Sequence, residues 1–332
     1  MTLPIRPTSE VAAGIRPTRK AEAQPGGNIE TRGDDSMEDS RSIPTAPSLL
    51  KGAPRVWGSL ALFAIALVMT VPVYGGWLSG DVERAYRFGL PLLWGALAFA
   101  AARSERVKPF SPLLLGLFGV SLGFALAYIV GSRPVDALGL SWHTPEGTAA
   151  GKVLSEVIPV SAAIFLAAIL SRRSLESLGL RGGRVWQSIG LGLLATIPLL
   201  ALFAFDPSGG RDAVLSTPGA VLGSWLPWIL LFSIANGFME ELWFRGLWLG
   251  AFKQVLGAPA AMHVTSLAFC IMHVIVYWGD PMAIAMLTPA WLFMGYAYAL
   301  IMRKTGSLWG PVLAHAIADV LFLLIAFSTG KM

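Results

Sequence analysis

Nine stretches of this chain are apolar over roughly the ~20 residues that a helix needs to cross the hydrocarbon core of a bilayer. They run at 56–79, 88–102, 110–130, 153–170, 186–205, 222–250, 262–278, 282–302 and 308–328. A helix satisfies its own backbone N–H and C=O groups, which hydrocarbon cannot do for it. The second run is short, so the sequence predicts eight or nine spans in an all-α, polytopic membrane protein. Composition agrees, with 55% hydrophobic and only 14% charged residues and a mean hydropathy of +0.63. Those values lie outside the usual range of soluble domains.

Residues 1–52 differ from the rest. They are rich in Pro, Gly, Ser and Thr, carry mixed charge and lack an apolar period, so a disordered cytosolic tail is expected. No apolar region precedes residue 56, so the first run itself is expected to direct insertion. Residues 53–221 then read as N-terminal membrane helices, and 222–332 as the part that carries polar chemistry. The net charge of +5 does not point to nucleic acid, because Lys and Arg cluster in the tail and in short loops. Loops on the side of the tail hold about twice as many of these cations as the other side, which predicts a cytosolic N-terminus in the plasma membrane. The single cysteine, Cys270, excludes an internal disulfide framework and a CxxC zinc site. It reads as a buried, inert thiol.

A charge at mid-bilayer costs on the order of 3 kcal/mol on insertion scales, so the few that occur carry information. Within the runs they are Glu156, Glu240, Glu241, Arg245 and Asp319, joined by His273 and His315. Glu156 starts its run and is read as interfacial. The others fall in three C-terminal runs. From the helical rise, Glu240 is roughly 15 Å deep, His273 roughly 16 Å, His315 roughly 10 Å and Asp319 roughly 16 Å from one face. Three helices thus bring polar groups to one level.

Spacing divides the roles. Glu241 and Arg245 are four apart, as are His315 and Asp319, and Phe269 lies one turn before His273. Neighbours on a helix point about 100° apart, so Glu240 and Glu241 cannot act alike. Glu241 is expected to form a structural ion pair with Arg245, leaving Glu240 to face a cavity. His143 and His263 are expected at the surface or the interface.

A carboxylate and an imidazole in a low-dielectric site can together activate water. A second histidine can stabilise the oxygen of a tetrahedral intermediate. The reaction this implies is hydrolysis of a peptide bond. The same residues can instead ligate a divalent metal such as zinc, although the HExxH of zinc proteases is missing. A GxSG-like serine motif and a GxGD aspartyl motif are missing as well.

MEELWFRG, FCIMH and HAIAD supply EExxxR (Glu240, Glu241, Arg245), FxxxH (Phe269, His273) and HxxxD (His315, Asp319), in that order. The set resembles the CPBP (Abi) family of intramembrane proteases, which includes the type II CAAX prenyl endopeptidases, over about residues 225–325. The resemblance implies that Glu240 is the water-activating base and His273 its partner, with His315 and Asp319 stabilising the oxyanion and Glu241, Arg245 and Phe269 in support. Asp319 departs from members with Asn there. An ionised Asp cannot donate to an oxyanion, so Asp319 must be protonated, orient His315 or bind a metal.

The expected partners are a membrane-associated protein or peptide substrate and the lipid bilayer, with no nucleic acid. Two rival readings remain at this level. A proton-coupled transporter also uses intramembrane carboxylates and histidines, but no repeat relates the two halves. A non-catalytic scaffold or regulator would not need every motif residue.

Overall fold

All nine runs become helical spans. A computed structural model of the chain describes residues 48–205 and 209–331. Among the described residues nine helices are long and apolar enough to cross a membrane, and no strand occurs. They are α1 (Ala53–Tyr74), α2 (Gly80–Ala102), α3 (Lys108–Ala137), α4 (Pro145–Leu170), α5 (Val185–Ala204), α6 (Gly219–Leu256), α7 (Ala258–Tyr277), α8 (Pro281–Thr305) and α9 (Trp309–Ser328).

The second run looked short because charged residues interrupt its hydropathy. The helix itself begins at Gly80, and Asp81, Glu83, Arg84 and Arg87 sit in its first turns as intrahelical pairs, Arg84–Asp81 at 3.5 Å and Arg87–Glu83 at 2.7 Å. Its 23 residues cover about 35 Å, enough for a span. Most of the expected N-terminal tail lies outside the described residues. Its last residues do not behave as a solvated leader, since Leu49 and Leu50 donate from their backbone N–H groups to the carbonyls of Gln254 and Val255 at the end of α6.

The described residues form one compact unit. In it α3 packs on α2 and α4, α7 packs on α1 and α8, and α9 lies between α5 and α6. Large apolar side chains such as Leu92, Ile169 and Trp186 point outward, while Glu241, Arg245 and His315 are buried. Apolar outside and ionisable inside is the arrangement a lipid solvent selects.

Small residues set how closely α9 approaches α5. Ser188 Oγ donates to the carbonyl of Ser307 at 3.0 Å and accepts from the N–H of Gly310 at 3.0 Å. A Cβ on Gly310 would stand 1.9 Å from the Ser188 carbonyl oxygen, which is backbone and cannot swing away. This contact fixes the start of α9, and His315 follows five residues later. Gly310→Ala is therefore expected to destabilise the protein by about 1–3 kcal/mol or more through overpacking. In α5, Gly190 has open space where a Cβ would go, and Gly190→Ala should be neutral or slightly stabilising. Thermal unfolding of the two variants in detergent checks the contrast.

Candidate active site

Glu240 and Glu241 lie at the middle of α6, where the next turn, Leu242–Trp248, is π-helical. A neighbouring loop supplies donors to this turn. Arg173, just beyond α4, donates to the carbonyls of Leu247 at 2.7 Å and Gly246 at 3.1 Å. Burial pushes its guanidinium down to about 10. The wide turn also stacks aromatic rings, with Trp243 on Phe244 at 4.4 Å and Trp248 on Phe252 at 5.5 Å.

Glu241 turns toward two partners. One of its oxygens accepts from Arg245 Nη1 at 2.7 Å and faces His315 Nδ1 at 2.9 Å. All three side chains are essentially inaccessible to solvent. Arg245 also donates to the carbonyls of Met294 and Gly295 in α8 at 3.3 and 3.2 Å, and its guanidinium lies 4.3 Å over the ring of Phe269 in α7. One cation thereby joins α6, α7 and α8.

Glu240 points elsewhere. Its Oε2 lies 3.3 Å from His273 Nε2 and 3.8 Å from His315 Nε2, and Asp319 Oδ1 lies 3.8 Å from that same His315 nitrogen. Asp319 Oδ2 accepts from Asn236 Nδ2 at 2.8 Å. Glu240, His273, His315 and Asp319, which the sequence placed at one depth, thus meet in space.

The hydrogen bonds on the far sides of the rings set which nitrogen bears hydrogen. His273 Nδ1 faces the carbonyl of Phe269 at 2.9 Å, and His315 Nδ1 faces the Glu241 carboxylate. Both partners only accept, so both Nδ1 atoms are N–H donors, and each Nε2 turns toward Glu240 as a lone pair when its ring is neutral and as an N–H when the ring is an imidazolium. Glu240 Oε2 and His315 Nε2 are buried with no hydrogen-bond partner among the described residues, despite their proximity. A buried polar atom left unpaired costs ~1–3 kcal/mol, so two at one point mark a place built to receive something. Together with His273 Nε2 their ligating atoms lie within 4.8 Å of one another, a donor set able to hold a metal ion.

Several residues of the site carry little sequence signal. Trp291 stacks on His273 with ring centroids 4.5 Å apart, and Tyr298 lies 6.1 Å from His315. Aromatic residues in an apolar helix look like packing. Asn236 is uncharged and lies outside EExxxR, and its only clue is its place one turn before Glu240. Lys152 was not singled out in the sequence, and Glu156 was read there as interfacial. Their helix begins at Pro145, eight residues before the apolar run, so Glu156 is not at the end of its span. It pairs with Lys152 at 2.8 Å and accepts from Tyr74 at 3.1 Å, in a π-helical turn beside a cavity of about 340 Å³ that Phe232 of α6 also lines. His143 and His263 are exposed, the latter bonded to Tyr296 at 2.8 Å. Neither joins the cluster. Cys270 is buried, with its sulfur 3.7 Å from the Thr288 carbonyl.

Residues 222–321 match the model of a protein family described as type II CAAX prenyl endopeptidase Rce1-like. The match covers α6 to α9 almost entirely and includes the whole cluster, so the CPBP resemblance read from the three motifs is shown over this part of the chain. What it supports is a CAAX-type intramembrane protease in general. No curated protein and no solved structure matches the chain.

Arg245→Met would leave the Glu241 carboxylate buried without its cation. Breaking such a pair typically costs ~3–5 kcal/mol, so a large fall in melting temperature in detergent is expected. Arg245→Lys should recover only part of it, because one ammonium cannot serve the carboxylate and both α8 carbonyls in the manner of a guanidinium.

Proposed function

We propose that this chain is an intramembrane endopeptidase that hydrolyses a peptide bond of a membrane-associated protein or peptide. One observation carries the reading, namely the convergence of Glu240 Oε2 with the Nε2 atoms of two histidines whose other nitrogens are already engaged. With the His273 ring neutral, Glu240 Oε2 and His273 Nε2 only accept and suit a water molecule, which can donate to both and keep a lone pair for the carbonyl carbon of the substrate. Glu240 then takes the proton of the attacking water, and general base catalysis of this kind contributes ~10²–10⁴-fold.

His315 acts on the other side of the scissile carbonyl. Because Glu241 holds Nδ1–H, the Nε2 atom can donate to an oxyanion only in the imidazolium form. Glu240, Glu241 and Asp319 surround that ring and balance its charge. Asp319 accepts and does not donate, so its part is to orient and balance His315. The leaving amine receives its proton from Glu240, which the first step protonated. Placing the protein in the plasma membrane with a cytosolic N-terminus and a site open to the cytosol rests on the distribution of Lys and Arg in the loops.

A divalent metal is the second reading, and the same convergence favours it. Glu240, His273 and His315 supply one carboxylate and two imidazoles, a donor set used by catalytic zinc. Each imidazole is also tied through its other nitrogen to an acceptor, as ligating histidines usually are. These residues fit such an ion, which would polarise the carbonyl and lower the pKa of a bound water.

Glu240→Gln should reduce cleavage about 100-fold or more while the protein remains inserted and abundant. His273→Ala should act likewise, with His143→Ala and His263→Ala near wild type. Quantitative mapping of protein termini in cells at matched membrane abundance is the measurement. New termini that persist in Glu240→Gln cells would remove Glu240 as the base, and a complete lack of wild-type-specific termini would favour a transporter or scaffold. Elemental analysis of the purified protein decides between the two chemistries. The metal-free mechanism expects no bound transition metal and cleavage that resists chelators, whereas one zinc per chain that is lost in His273→Ala selects the metal reading.

A further inference from the structure

Asn236 lies one turn before Glu240 on α6 and is buried. Its Nδ2 donates to Asp319 Oδ2 at 2.8 Å, a contact that joins α6 to α9 within the site. The acceptor fixes the orientation of the amide, since a carboxylate oxygen requires the NH₂ end of the side chain to face it. The carbonyl oxygen of Asn236 is buried and has no hydrogen-bond partner among the described residues. An asparagine that served only to knit two helices together would ordinarily have both ends satisfied. Here the single bond goes to a residue of the cluster.

The backbone shows that this approach is built in. Gly237, the next residue, sits so close to α9 that a Cβ would stand 3.2 Å from the N–H nitrogen of Ala316 and 3.3 Å from the Cβ of His315. Any larger residue would push α6 away from the helix that carries His315 and Asp319. With that approach, Asn236 engages Oδ2 of Asp319 and leaves Oδ1 turned to His315 Nε2 at 3.8 Å. A carboxylate that rotated freely about its last torsion would not present one oxygen to one nitrogen.

We infer that Asn236 is a positioning residue for hydrolysis, holding the Asp319 carboxylate so that its other oxygen faces His315. The inference rests on the proteolytic reading above and adds to it a residue outside the three motifs. Asn236 itself need not touch the substrate. Its effect passes through Asp319 to the ring that would face the oxyanion.

The test exchanges the pair. Asn236→Leu removes the donor, and Asn236→Asp sets two carboxylates against each other. Each is expected to lower the yield of wild-type-specific termini about ten- to a hundredfold per unit of membrane protein, the usual effect of removing a group that holds an active residue. Adding Asp319→Asn to Asn236→Asp rebuilds the bond with donor and acceptor reversed, and should restore most of the yield. Melting temperature in detergent is measured in parallel. Recovery of melting temperature without recovery of cleavage in the exchanged protein would make the pair structural only and overturn the inference. So would undiminished cleavage by Asn236→Leu, or an exchange no better than Asn236→Asp alone on both readouts. The wild type and Glu240→Gln are mapped in the same experiment. If those two yield identical termini, the proteolytic reading itself fails and takes this inference with it, whereas termini that depend on Glu240 but not on Asn236 overturn the inference alone.

Discussion

A carboxylate in the middle of a membrane protein is tolerable only if its charge is met on the spot, because an ion taken out of water without a partner is penalised by several kcal/mol even after relaxation. Glu241 has no solvent contact, and Arg245 and His315 meet it at 2.7 and 2.9 Å. The rest of the site follows from this arrangement. Arg245 continues to the carbonyls of Met294 and Gly295 and over the ring of Phe269, so that satisfying one charge draws α6, α7 and α8 together. His315 brings in α9. The same carboxylate also decides which nitrogen of His315 faces Glu240 and what that nitrogen can do there.

The two adjacent glutamates are thereby given different partners by helix geometry alone. Successive residues of a helix project about 100° apart, so a helix that commits Glu241 to the buried ion pair necessarily turns Glu240 onto another face. On that face Glu240 meets His273 and His315 rather than a permanent cation. The charge of Glu241 is already met by a guanidinium, whereas Glu240 Oε2 is buried with no hydrogen-bond partner among the described residues and is left to receive a proton or a cation. The π-helical turn that follows belongs to the same design, since widening of this kind recurs at functional sites, and here Arg173 donates to the carbonyls of Gly246 and Leu247 within it.

Much of this was legible in the sequence, and the parts that were not share a physical reason. Charge in an apolar run is conspicuous, so Glu240, Glu241, Arg245 and Asp319 stood out, and spacing of four residues foretold the Glu241–Arg245 pair. The count of spans was blurred because α2 opens with Asp81, Glu83, Arg84 and Arg87, which depress hydropathy although they pair along the helix. For Glu156 the fault was the reverse. Its apolar run begins late while its helix begins early, so depth read from hydropathy placed it at an interface. Asn236, Trp291 and Tyr298 were invisible because neutral polar and aromatic residues are common in membrane helices, and only the partner on another helix gives them meaning.

The convergent Nε2 atoms bear on the question that the motif residues leave open. A site meant only to polarise a carbonyl by hydrogen bonding would present donors, yet the bonds to Phe269 O and Glu241 Oε1 leave two Nε2 acceptors on neutral rings turned toward Glu240. Those acceptors become useful when a proton, a water or a cation joins them, and the three choices differ in the charge they bring. Near the cluster Arg245 is committed to Glu241, while Glu240 and Asp319 both approach His315 Nε2 at 3.8 Å. Such a surplus of negative charge in low dielectric must be offset for the protein to persist in a bilayer. A proton on His315 offsets part of it and at the same time creates the donor that an oxyanion needs. The charge balance that lets the site exist and the charge that would drive the reaction are then the same proton, placed by Glu241 on a ring that cannot turn.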